Sequence, residues 1–394
     1  MKHYLFNSDL SESNKMLRKS VYYQSGVTLV ELMVALVIGL LVSLAIYNVM
    51  SLQEGRKRTT NSINDIDQSG AYGLYTLDKS IRSAGSGFSN ASSTSYGCKL
   101  NASLSGTQVL PAGTLPAPFA AVLAAIGGSF RLAPVLIVNG VGQNSSDALI
   151  TMNGTAGLGE TSTSFTAIPA GSNLSVTNVA SFTSNDRLAL VDIAGITPCL
   201  IEQVASTFVP AAGVSTLPLS GSYYTASGAD KNLAAYSALT TVVNLGEAPN
   251  FNIFIAGANN SLYSYDLLAP NATANANPIL DGVYAMHAIY GVKLTPTSKL
   301  TWVDPASNAS YSASTLMNGT SAATTALLTI KAVRLSLIMR TSLPEKDTAG
   351  VAVSPSTITI FSGTAAANAV ALNPTNVRYR LVETTIPIRN ALLQ

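Results

Sequence analysis

The 394-residue sequence predicts an α+β fold, in which a long N-terminal helix precedes an enlarged β-rich C-terminal region. Three observations lead to this prediction. A run of 22 residues, from Leu32 to Gln53, contains no charged side chain. No proline occurs before Pro111, so one helix can extend from about Val27 to Ser83. Beyond residue 130, short apolar segments alternate with turn-forming residues, which is typical of strands.

The charge-free run has the length of a membrane span. At ~1.5 Å per residue, a helix of 22 residues extends ~33 Å, which covers the hydrocarbon of a bilayer. Glu31 lies at the edge of this run. A buried carboxylate costs several kcal/mol unless a positive group meets it, and the run contains no such group. The sequence therefore predicts a membrane helix whose acid needs a cationic partner from elsewhere.

Residues 55–85 predict the second, amphipathic half of the helix. Apolar or small residues recur there at steps of three and four, which places them on one helical face. They are Ile63, Ile66, Gly70, Leu74, Leu77 and Ile81. Asp78 and Arg82 lie four residues apart and are expected to pair, and Gly85 and Gly87 predict the end of the helix. We expect this half to pack on an antiparallel β-sheet.

Residues 86–394 are expected to form the β-rich globular region. Ser, Ala, Gly and Pro dominate residues 86–130, which predict a loop with one short helix near Phe119–Ala125. Strands are expected over Val135–Val138, Ala148–Met152, Leu188–Val191, Leu200–Val204, Phe251–Ile255, Leu262–Leu267, Ala285–Val292, Lys331–Arg340, Thr357–Phe361 and Tyr379–Ile386. Gly257–Asn260 has the composition of a hairpin turn. Residues 269–277 and 362–376 are expected to be surface loops.

The sequence around the start of the charge-free run resembles the amino-terminal signature of type IV pilins and of the pseudopilins of type II secretion. The residues that carry the resemblance are Gln24-Ser25-Gly26-Val27-Thr28-Leu29-Val30-Glu31-Leu32-Met33. The resemblance implies that a prepilin peptidase cuts between Gly26 and Val27 and that Val27 is then N-methylated. Val27 stands where the family usually has Phe. Residues 1–26 would be a cleaved leader, and residues 27–54 the transmembrane and assembly helix.

The same resemblance implies that Glu31 sets the assembly register. Cleavage creates an α-ammonium group at Val27, and in a stack of helices this cation can pair with Glu31 of a neighbour at low dielectric. An ordinary secretory signal would have a shorter apolar core and a small-residue cleavage site after it, which the sequence lacks. A plain membrane anchor would have little use for Glu31.

Further segments resemble the PilW branch of minor pilins. They are Gln68–Tyr72, Leu77, Ile81–Gly85, Gly97-Cys98, Asp281–Val283, Ile289–Val292, Ala332–Leu337, Arg340-Thr341, Arg378–Thr385 and Ile388–Asn390. The resemblance implies a pilin-like fold and a minor pilin that takes part in the priming complex of a type IV pilus. Twitching, adhesion and DNA uptake would follow from pilus assembly.

The resemblance also implies the partners and the localisation. The partners would be the prepilin peptidase, the other minor pilins and the major pilin, the inner-membrane assembly platform and membrane lipid. The chain would cross the inner membrane once, with a cytoplasmic amino terminus and a periplasmic C-terminal domain, and would then enter the pilus at the cell surface. Three basic residues lie within about 20 residues before the span and three within that distance after it, so the positive-inside rule alone does not orient the helix. They are Lys15, Arg18 and Lys19, and Arg56, Lys57 and Arg58.

Two other functions remain open at this point. One is a minor pseudopilin of the J kind in type II secretion, which uses the same helix. The other is a pilus-tip adhesin or ligand-binding module built from the large β-rich region. The accompanying subunits would separate the first from a minor pilin, and normal piliation without attachment would favour the second.

The charge balance argues against direct binding of nucleic acid. Charged residues make up 11% of the chain, well below the usual ~25%. The predicted leader holds four of the 22 Lys and Arg and two of the 20 Asp and Glu, which leaves 18 of each in the mature chain. A nucleic-acid-binding protein normally carries a basic excess.

Cys98 and Cys199 are the two cysteines of the chain. In an oxidising periplasm they are expected to form one disulfide, and two buried free thiols are the alternative. The bond would close a loop of about 100 residues, which the chain-entropy treatment values at ~4 to 5 kcal/mol. Metal binding is not expected, because no histidine lies near either cysteine.

No catalytic, cofactor or metal site is expected. His287 would be the single histidine of the mature chain. It lies in a strand-like segment and the sequence contains no G-x-S-x-G nucleophile turn, so its predicted role is structural. Trp302 is expected to pack in the core or at its rim, and Asp281 and Glu383 to be solvated or paired. The basic triplet at 56–58 is expected to lie at anionic headgroups, to pair with acids of neighbouring pilins, or to be a solvated face.

Overall fold

The computed structural model of the protein describes residues 26–156, 162–169, 171–225, 232–268, 276–345 and 352–392. The predicted leader, apart from Gly26, and most of the predicted 269–277 loop lie outside the described residues. The chain divides into two compact units, Met1–Arg58 and Thr59–Gln394.

Six α-helices lie in these described ranges, and the first is by far the longest. They are α1 (Leu29–Ser83), α2 (Ser92–Ser95), α3 (Ala120–Ala125), α4 (Ala313–Leu316), α5 (Ser321–Thr329) and α6 (Arg389–Leu392). The predicted long helix and the predicted short helix near residues 119–125 are both confirmed.

The amphipathic half of α1 buries the face that the sequence predicts. Its buried residues are Ile66, Gly70, Gly73, Leu77 and Ile81. Ile63 and Leu74, which were also predicted on this face, are half-buried at its margin. The expected ion pair forms on the other face, where Nε of Arg82 lies 2.6 Å from Oδ2 of Asp78. The helix stops where predicted, because Gly85 adopts a φ of +84° and its N–H bonds to the carbonyl of Met152.

Nineteen strands lie in the described part of the chain. They are β1 (Leu100–Leu104), β2 (Thr107–Leu110), β3 (Val135–Val138), β4 (Ala148–Asn153), β5 (Ser162–Ser164), β6 (Asn173–Ser175), β7 (Arg187–Val191), β8 (Cys199–Gln203), β9 (Thr216–Pro218), β10 (Thr241–Gly246), β11 (Asn250–Gly257), β12 (Ser261–Asp266), β13 (Asn277–Asp281), β14 (Val283–Val292), β15 (Thr301–Val303), β16 (Ile330–Arg340), β17 (Thr357–Ile360), β18 (Asn368–Ala371) and β19 (Tyr379–Pro387). All ten predicted strands are present, and the predicted 257–260 turn joins β11 to β12.

Helix α1 packs on an antiparallel four-stranded sheet with the strand order β15-β14-β16-β19. An ideal Cβ on Gly70 would lie 3.3 Å from side-chain atoms of Met339 and Val382. One on Gly73 would lie 3.3 Å from Leu337. The missing side chains therefore let the helix backbone come close to β16 and β19.

The opposite face of this sheet is covered by the two-stranded sheet β17-β18. Phe361, at the end of β17, has a φ of +53°, which is rare for a bulky residue. Its N–H donates a 2.6 Å hydrogen bond to Glu383 of β19, and Glu383 also accepts from Arg334 at 2.9 Å. Strand β18 lies inside the segment 362–376 that the sequence predicts as a surface loop, so that prediction is wrong for residues 368–371.

Two further sheets complete the described β-rich region. One has five strands in the order β13-β12-β11-β4-β3, and the other has six in the order β2-β1-β8-β7-β10-β5. The largest apolar cluster joins α1, the four-stranded and the five-stranded sheets and one face of the six-stranded sheet. A second cluster lies on the other face of the six-stranded sheet, with Phe165, Phe182 and Tyr236 among its members.

The prediction of a loop over residues 86–130 is wrong for residues 100–104 and 107–110, which form β1 and β2. Strand β1 pairs in parallel with β8, with Leu100 opposite Cys199. Its sequence, Leu-Asn-Ala-Ser-Leu, has no β-branched or aromatic residue, so local propensity gives no strand signal. The strand forms because a partner about 100 residues away supplies its hydrogen bonds and a cysteine bridge holds the two together.

Replacing Gly73 by Leu is expected to lower the free energy of unfolding by about 1–3 kcal/mol, as overpacking generally does. An ideal Cβ at this position would already lie 2.5 Å from Cδ2 of Leu280. Denaturant unfolding of the full-length chain in detergent measures the change. Gly55→Leu is the matched control, because Gly55 is also in α1 and has nothing within 4 Å of its ideal Cβ. Equal losses in both variants would contradict the packing role of Gly73.

Candidate functional site

The candidate site is the segment from Gly26 through Arg58, which we call the assembly segment. Gly26, Val27 and Thr28 precede α1 and have no helical structure. The helix begins two residues after the predicted Val27, because Thr28 caps it. Oγ1 of Thr28 accepts a 3.3 Å hydrogen bond from the N–H of Glu31, and its carbonyl accepts one from Leu32 at 3.1 Å.

Glu31 therefore lies in the first turn of α1. Unsatisfied N–H groups make a helix N-terminus electropositive, which favours a carboxylate at this point. A Thr followed three residues later by Glu is also the sequence pattern of a capping box. Sequence analysis selected Glu31 for its charge but missed Thr28, although this T-x-x-E spacing was the available signal.

The surroundings of Gly26 and Glu31 are open. Val27 is 68% exposed, Glu31 is exposed, and nothing lies within 4 Å of an ideal Cβ on Gly26. Gly26 and Val27, the two residues that this bond joins, are thus outside the helix and exposed. Such backbone can be reached by a peptidase, because no helical hydrogen bond has to break first.

No described part of the chain covers the apolar residues of the assembly segment. The described residues include one helix, Leu29–Ser83, that is long and apolar enough to cross a membrane, and its most apolar window is 0% buried. Two hydroxyl groups of this stretch are bonded within the helix. Ser43 donates to the carbonyl of Gly39 at 2.8 Å, and Ser51 donates to that of Asn48 at 2.9 Å. Serine hydroxyls bonded in this way can enter hydrocarbon without becoming unpaired donors.

Charge returns at the end of the apolar run. Glu54 and Arg58 lie four residues apart, with 3.5 Å between Oε1 and Nε, and both side chains are more than half exposed. Such a pair is weak in water. Together with Arg56 and Lys57 it marks the polar boundary of the span.

The predicted disulfide between Cys98 and Cys199 is present in the second unit. Its S–S distance is 2.06 Å and the Cα atoms of Cys98 and Cys199 are 5.7 Å apart. Cys98 lies two residues before the first residue of β1 and Cys199 begins β8, so the bond lies at the start of the parallel pair. It ties together two parts of the chain that are 101 residues apart in sequence.

The other residues that the sequence analysis singled out lie in hydrogen-bonded or packed surroundings of the kind that support the fold. Nδ1 of His287 lies 3.6 Å from Oδ2 of Asp147, and Asp147 also accepts a hydrogen bond from the N–H of Ala288 at 3.0 Å. Trp302 packs against the cluster below β17-β18. Asp281 accepts a 2.6 Å hydrogen bond from Ser261, and Glu383 is held by Arg334 as described above. Within the described ranges, no group of three or more His, Cys, Asp or Glu side chains could hold a metal ion.

Sequence analysis also missed Arg131, which joins distant segments. Its Nε donates to the carbonyl of Met317 and its Nη1 to that of Gly97, both at 2.8 Å. Burial lowers the pKa of the Arg131 guanidinium from its ordinary value, but arginine remains charged in neutral solution. No local pattern could reveal this role, because it depends on carbonyl groups brought together by the fold.

A long helix with an uncovered apolar half, whose second half packs on an antiparallel sheet, defines a pilin-like class of protein. Comparison with known families agrees. The model of the prokaryotic N-terminal methylation motif matches residues 22–47, which include Gly26, Val27 and Glu31. The model of type IV pilus-assembly protein W, PilW, matches residues 254–390, roughly a third of the chain. No curated protein and no solved structure matches the chain.

The two family matches support a PilW-like type IV pilin, and the long apolar N-terminal helix fits a membrane-anchored pilin. The PilW match runs from β11 to the start of α6 and so contains the whole four-stranded sheet on which α1 packs. Both matches indicate a structural component of the pilus. They also imply contact with the machinery that processes and assembles pilins.

Replacing Cys98 and Cys199 together by Ser is expected to lower the free energy of unfolding by about 2–5 kcal/mol, the usual range for a native disulfide. The loss arises because the unfolded chain gains the freedom of a long loop. Thermal or denaturant unfolding of oxidised chain measures it. Reductant should lower the stability of the native chain to that of the Ser variant and leave the variant unchanged. A variant as stable as the oxidised native chain would contradict the role of the bond.

Proposed function

We propose that this chain is a minor pilin that is made as a membrane-held precursor and takes part in the initiation of type IV pilus assembly. Prepilin peptidase cuts between Gly26 and Val27, and Val27 is then N-methylated. The mature chain joins other minor pilins and the major pilin in a priming complex on the inner-membrane assembly platform. Twitching, adhesion and DNA uptake depend on the pilus that results.

The uncovered apolar surface of the assembly segment carries this proposal. Eighteen large apolar side chains between Val27 and Leu52 are more than half exposed. At about 1.5–3 kcal/mol for each side chain removed from water, their exposure would cost tens of kcal/mol. Lipid or similar helices must therefore cover them in every state. Storage in the membrane followed by burial in a helical bundle meets that condition, so extraction need not expose the surface to water.

Glu31 supplies the register of that bundle. Cleavage gives Val27 an α-ammonium group, and methylation keeps its positive charge. Away from water, a carboxylate without a partner is costly. A subunit whose Glu31 meets the amine of a neighbour is therefore favoured over one shifted along the helix axis. The pairing is strong because both groups lie at the low-dielectric end of an apolar stretch.

The disulfide supports the proposed orientation. Cys98–Cys199 is a kind of bond that persists in oxidising compartments and is rare in the cytosol. We therefore place residues 55–394 in the periplasm, and later in the fibre at the cell surface, with residues 1–26 in the cytoplasm. The counts of basic residues around the span do not decide this.

The PilW match favours a pilus over type II secretion. It covers β14, β16 and β19, the strands that receive α1, whereas the motif at residues 22–47 fits either system. The domain limits follow from the same proposal: leader 1–26, membrane helix 27–54, amphipathic helix 55–85 and globular domain 86–394.

Replacing Gly26 by Ala is expected to leave an uncut precursor in the membrane, because a side chain at this position obstructs close approach of the peptidase to the backbone. Immunoblot mobility of membrane fractions reports the cut. Gly39→Ala is the matched control, since Gly39 is also in the assembly segment and has nothing within 4 Å of its ideal Cβ. Normal processing of the Gly26 variant would reject the assigned site.

Replacing Glu31 by Gln keeps the size of the side chain and removes its charge. The variant should be cut as usual but should enter fibres poorly, because the amine of the neighbour loses its partner. The ratio of chain in sheared fibres to chain in membranes measures the effect. Glu54→Gln, at the other end of the apolar run, is the control and should assemble normally. Unchanged assembly of the Glu31 variant would reject the register role.

A further inference from the structure

A concave surface forms where three segments of the second unit meet. They are the turn at 258–260 between β11 and β12, the junction of β13 with β14 at 281–282, and the residues that end and follow β16 at 340–342. Ser261 lies opposite Asp281 across β12 and β13, and the N–H of Arg340 donates a 2.7 Å hydrogen bond to the carbonyl of Gly282. These contacts hold the three segments together.

The surface between these segments is a pocket of about 630 Å³, which we call the polar pocket. Its lining consists of residues 259–261, Tyr263, Pro278, 281–282 and 340–342. Ligand sites in proteins commonly measure about 300–1,000 Å³, and a few polar groups in them fix the orientation of the ligand. The polar pocket has that size, and its polar groups include a carboxylate, a guanidinium and two amides.

Two opposite charges line the polar pocket without pairing with each other. Asp281 is exposed and Arg340 is half-buried, and none of the ion pairs in the described ranges includes either residue. Oδ1 of Asp281 accepts a 2.6 Å hydrogen bond from Ser261, and Nε of Arg340 reaches the carbonyl of Thr341 only at 3.5 Å. Oδ2 of Asp281 and the two Nη groups of Arg340 are therefore available to a ligand.

The turn on the other side of the polar pocket presents two amides from a strained backbone. Asn259 has a φ of +63° and Asn260 a φ of +55°, a conformation that side chains seldom adopt twice in succession. Oδ1 of Asn260 is buried and has no hydrogen-bond partner among the described residues. Because the last torsion of an asparagine is soft, a small rotation turns this oxygen toward the pocket. Backbone strain and unpaired buried polar atoms both occur preferentially at sites of function.

An apolar wall completes the polar pocket. The half-buried ring of Tyr263 lies opposite Pro278 across β12 and β13. Its Cδ2 and Cε2 atoms would be only 2.9 Å from an ideal Cβ on Gly257, so the glycine leaves the space that the ring occupies. The hydroxyl of Tyr263 makes one long contact, 3.4 Å to the carbonyl of Ala258. The wall thus offers an aromatic face beside a polar edge.

This combination of groups selects an uncharged ligand with several hydroxyl groups. An anionic ligand would meet the carboxylate of Asp281 and a cationic one the guanidinium of Arg340, so a net charge gains little here. A sugar hydroxyl both donates and accepts. Neighbouring hydroxyls can therefore be held by a carboxylate that accepts, a guanidinium that donates in a fork and amides that do both. The C–H face of a sugar ring can pack on the electron-rich face of Tyr263.

We propose that the polar pocket binds a neutral saccharide, through one or two sugar units of a larger glycan. Asp281 and Arg340 hold neighbouring hydroxyls, Asn259 and Asn260 bind further polar groups of the sugar, and Tyr263 packs on its ring. This inference goes beyond the proposed function, which concerns assembly, and does not depend on it. An amino-sugar glycan of the cell wall and a hexose glycan on another surface share the chemistry that the pocket recognises.

Titration of the purified full-length chain with soluble sugars tests the proposal. The chain is kept in lauryldimethylamine oxide, because a detergent with a sugar head group would compete for the site. The probes are tri-N-acetylchitotriose, maltotriose and lactose, and calorimetry measures the affinity of each. The expected result is saturable binding of one sugar per chain for at least one probe. Binding of tri-N-acetylchitotriose alone points to the cell wall as the source, and binding of maltotriose or lactose to a hexose glycan.

Two single variants locate the binding site. Asp281→Asn and Arg340→Gln each remove one charge, and each should weaken binding of the sugar by about tenfold, the usual effect of losing a hydrogen bond to a charged group. Asp304→Asn is the matched control, because Asp304 also accepts a hydrogen bond in a turn, from Ala306 at 2.8 Å, and lies outside the polar pocket. The control should bind as the native chain does. Thermal unfolding of all three variants shows that the fold is retained.

The outcomes separate this inference from the proposed function. If the native chain binds none of the three sugars, or if both variants bind as tightly as the native chain, the polar pocket is not a saccharide site. Poor entry of the two variants into fibres, together with no sugar binding by the native chain, would make the pocket a contact between subunits and would also overturn the inference. A native chain that is neither cut after Gly26 nor found in fibres rejects the proposed function and leaves the measured sugar binding unaffected.

Discussion

The structure depends on one constraint, which is that the apolar surface of α1 between residues 29 and 53 must never meet water. No other part of the described chain covers it, and the hydroxyl groups of Ser43 and Ser51 are already bonded to their own helix. Lipid and a bundle of similar helices are the two environments that satisfy it. In the proposed function, the position of Glu31 at the edge of this surface makes the bundle selective, since only one axial position gives the carboxylate a cation. In that proposal, hydrophobic burial supplies the energy of assembly and one charge pair supplies its geometry.

The second half of the same helix packs on the four-stranded sheet of the chain itself. Gly70 and Gly73 cost helix propensity, roughly 1 kcal/mol each relative to Ala, yet they lie on the buried face. Their small size lets α1 lie close to Leu337 and Met339 of β16. The sheet that receives the helix is buried on both faces, with α1 on one and β17-β18 on the other. The PilW family match covers this sheet, so the chain resembles that family in the part that packs against α1.

Sequence analysis found the elements whose signal is local. The three- and four-residue spacing predicted the buried face of α1, and the apolar alternation of Val333, Leu335 and Leu337 predicted β16. It failed where a strand depends on a distant partner, as β1 depends on β8. The site shows the same division. Glu31 stands out as a charge beside an apolar run, whereas Arg131 gives no signal in the sequence. Its role depends on carbonyl groups of Met317 and Gly97 that the fold brings together, which no local pattern encodes.

The account as a whole rests on a new amino terminus at Val27, because the amine released there is the cation that Glu31 requires. Mass spectrometry of the amino-terminal peptide, recovered from sheared surface fibres, measures this directly. The account predicts a chain that begins at N-methylated Val27 and is enriched in the fibre fraction. A chain in the fibres that begins at Met1, or that retains Gly26, would contradict it.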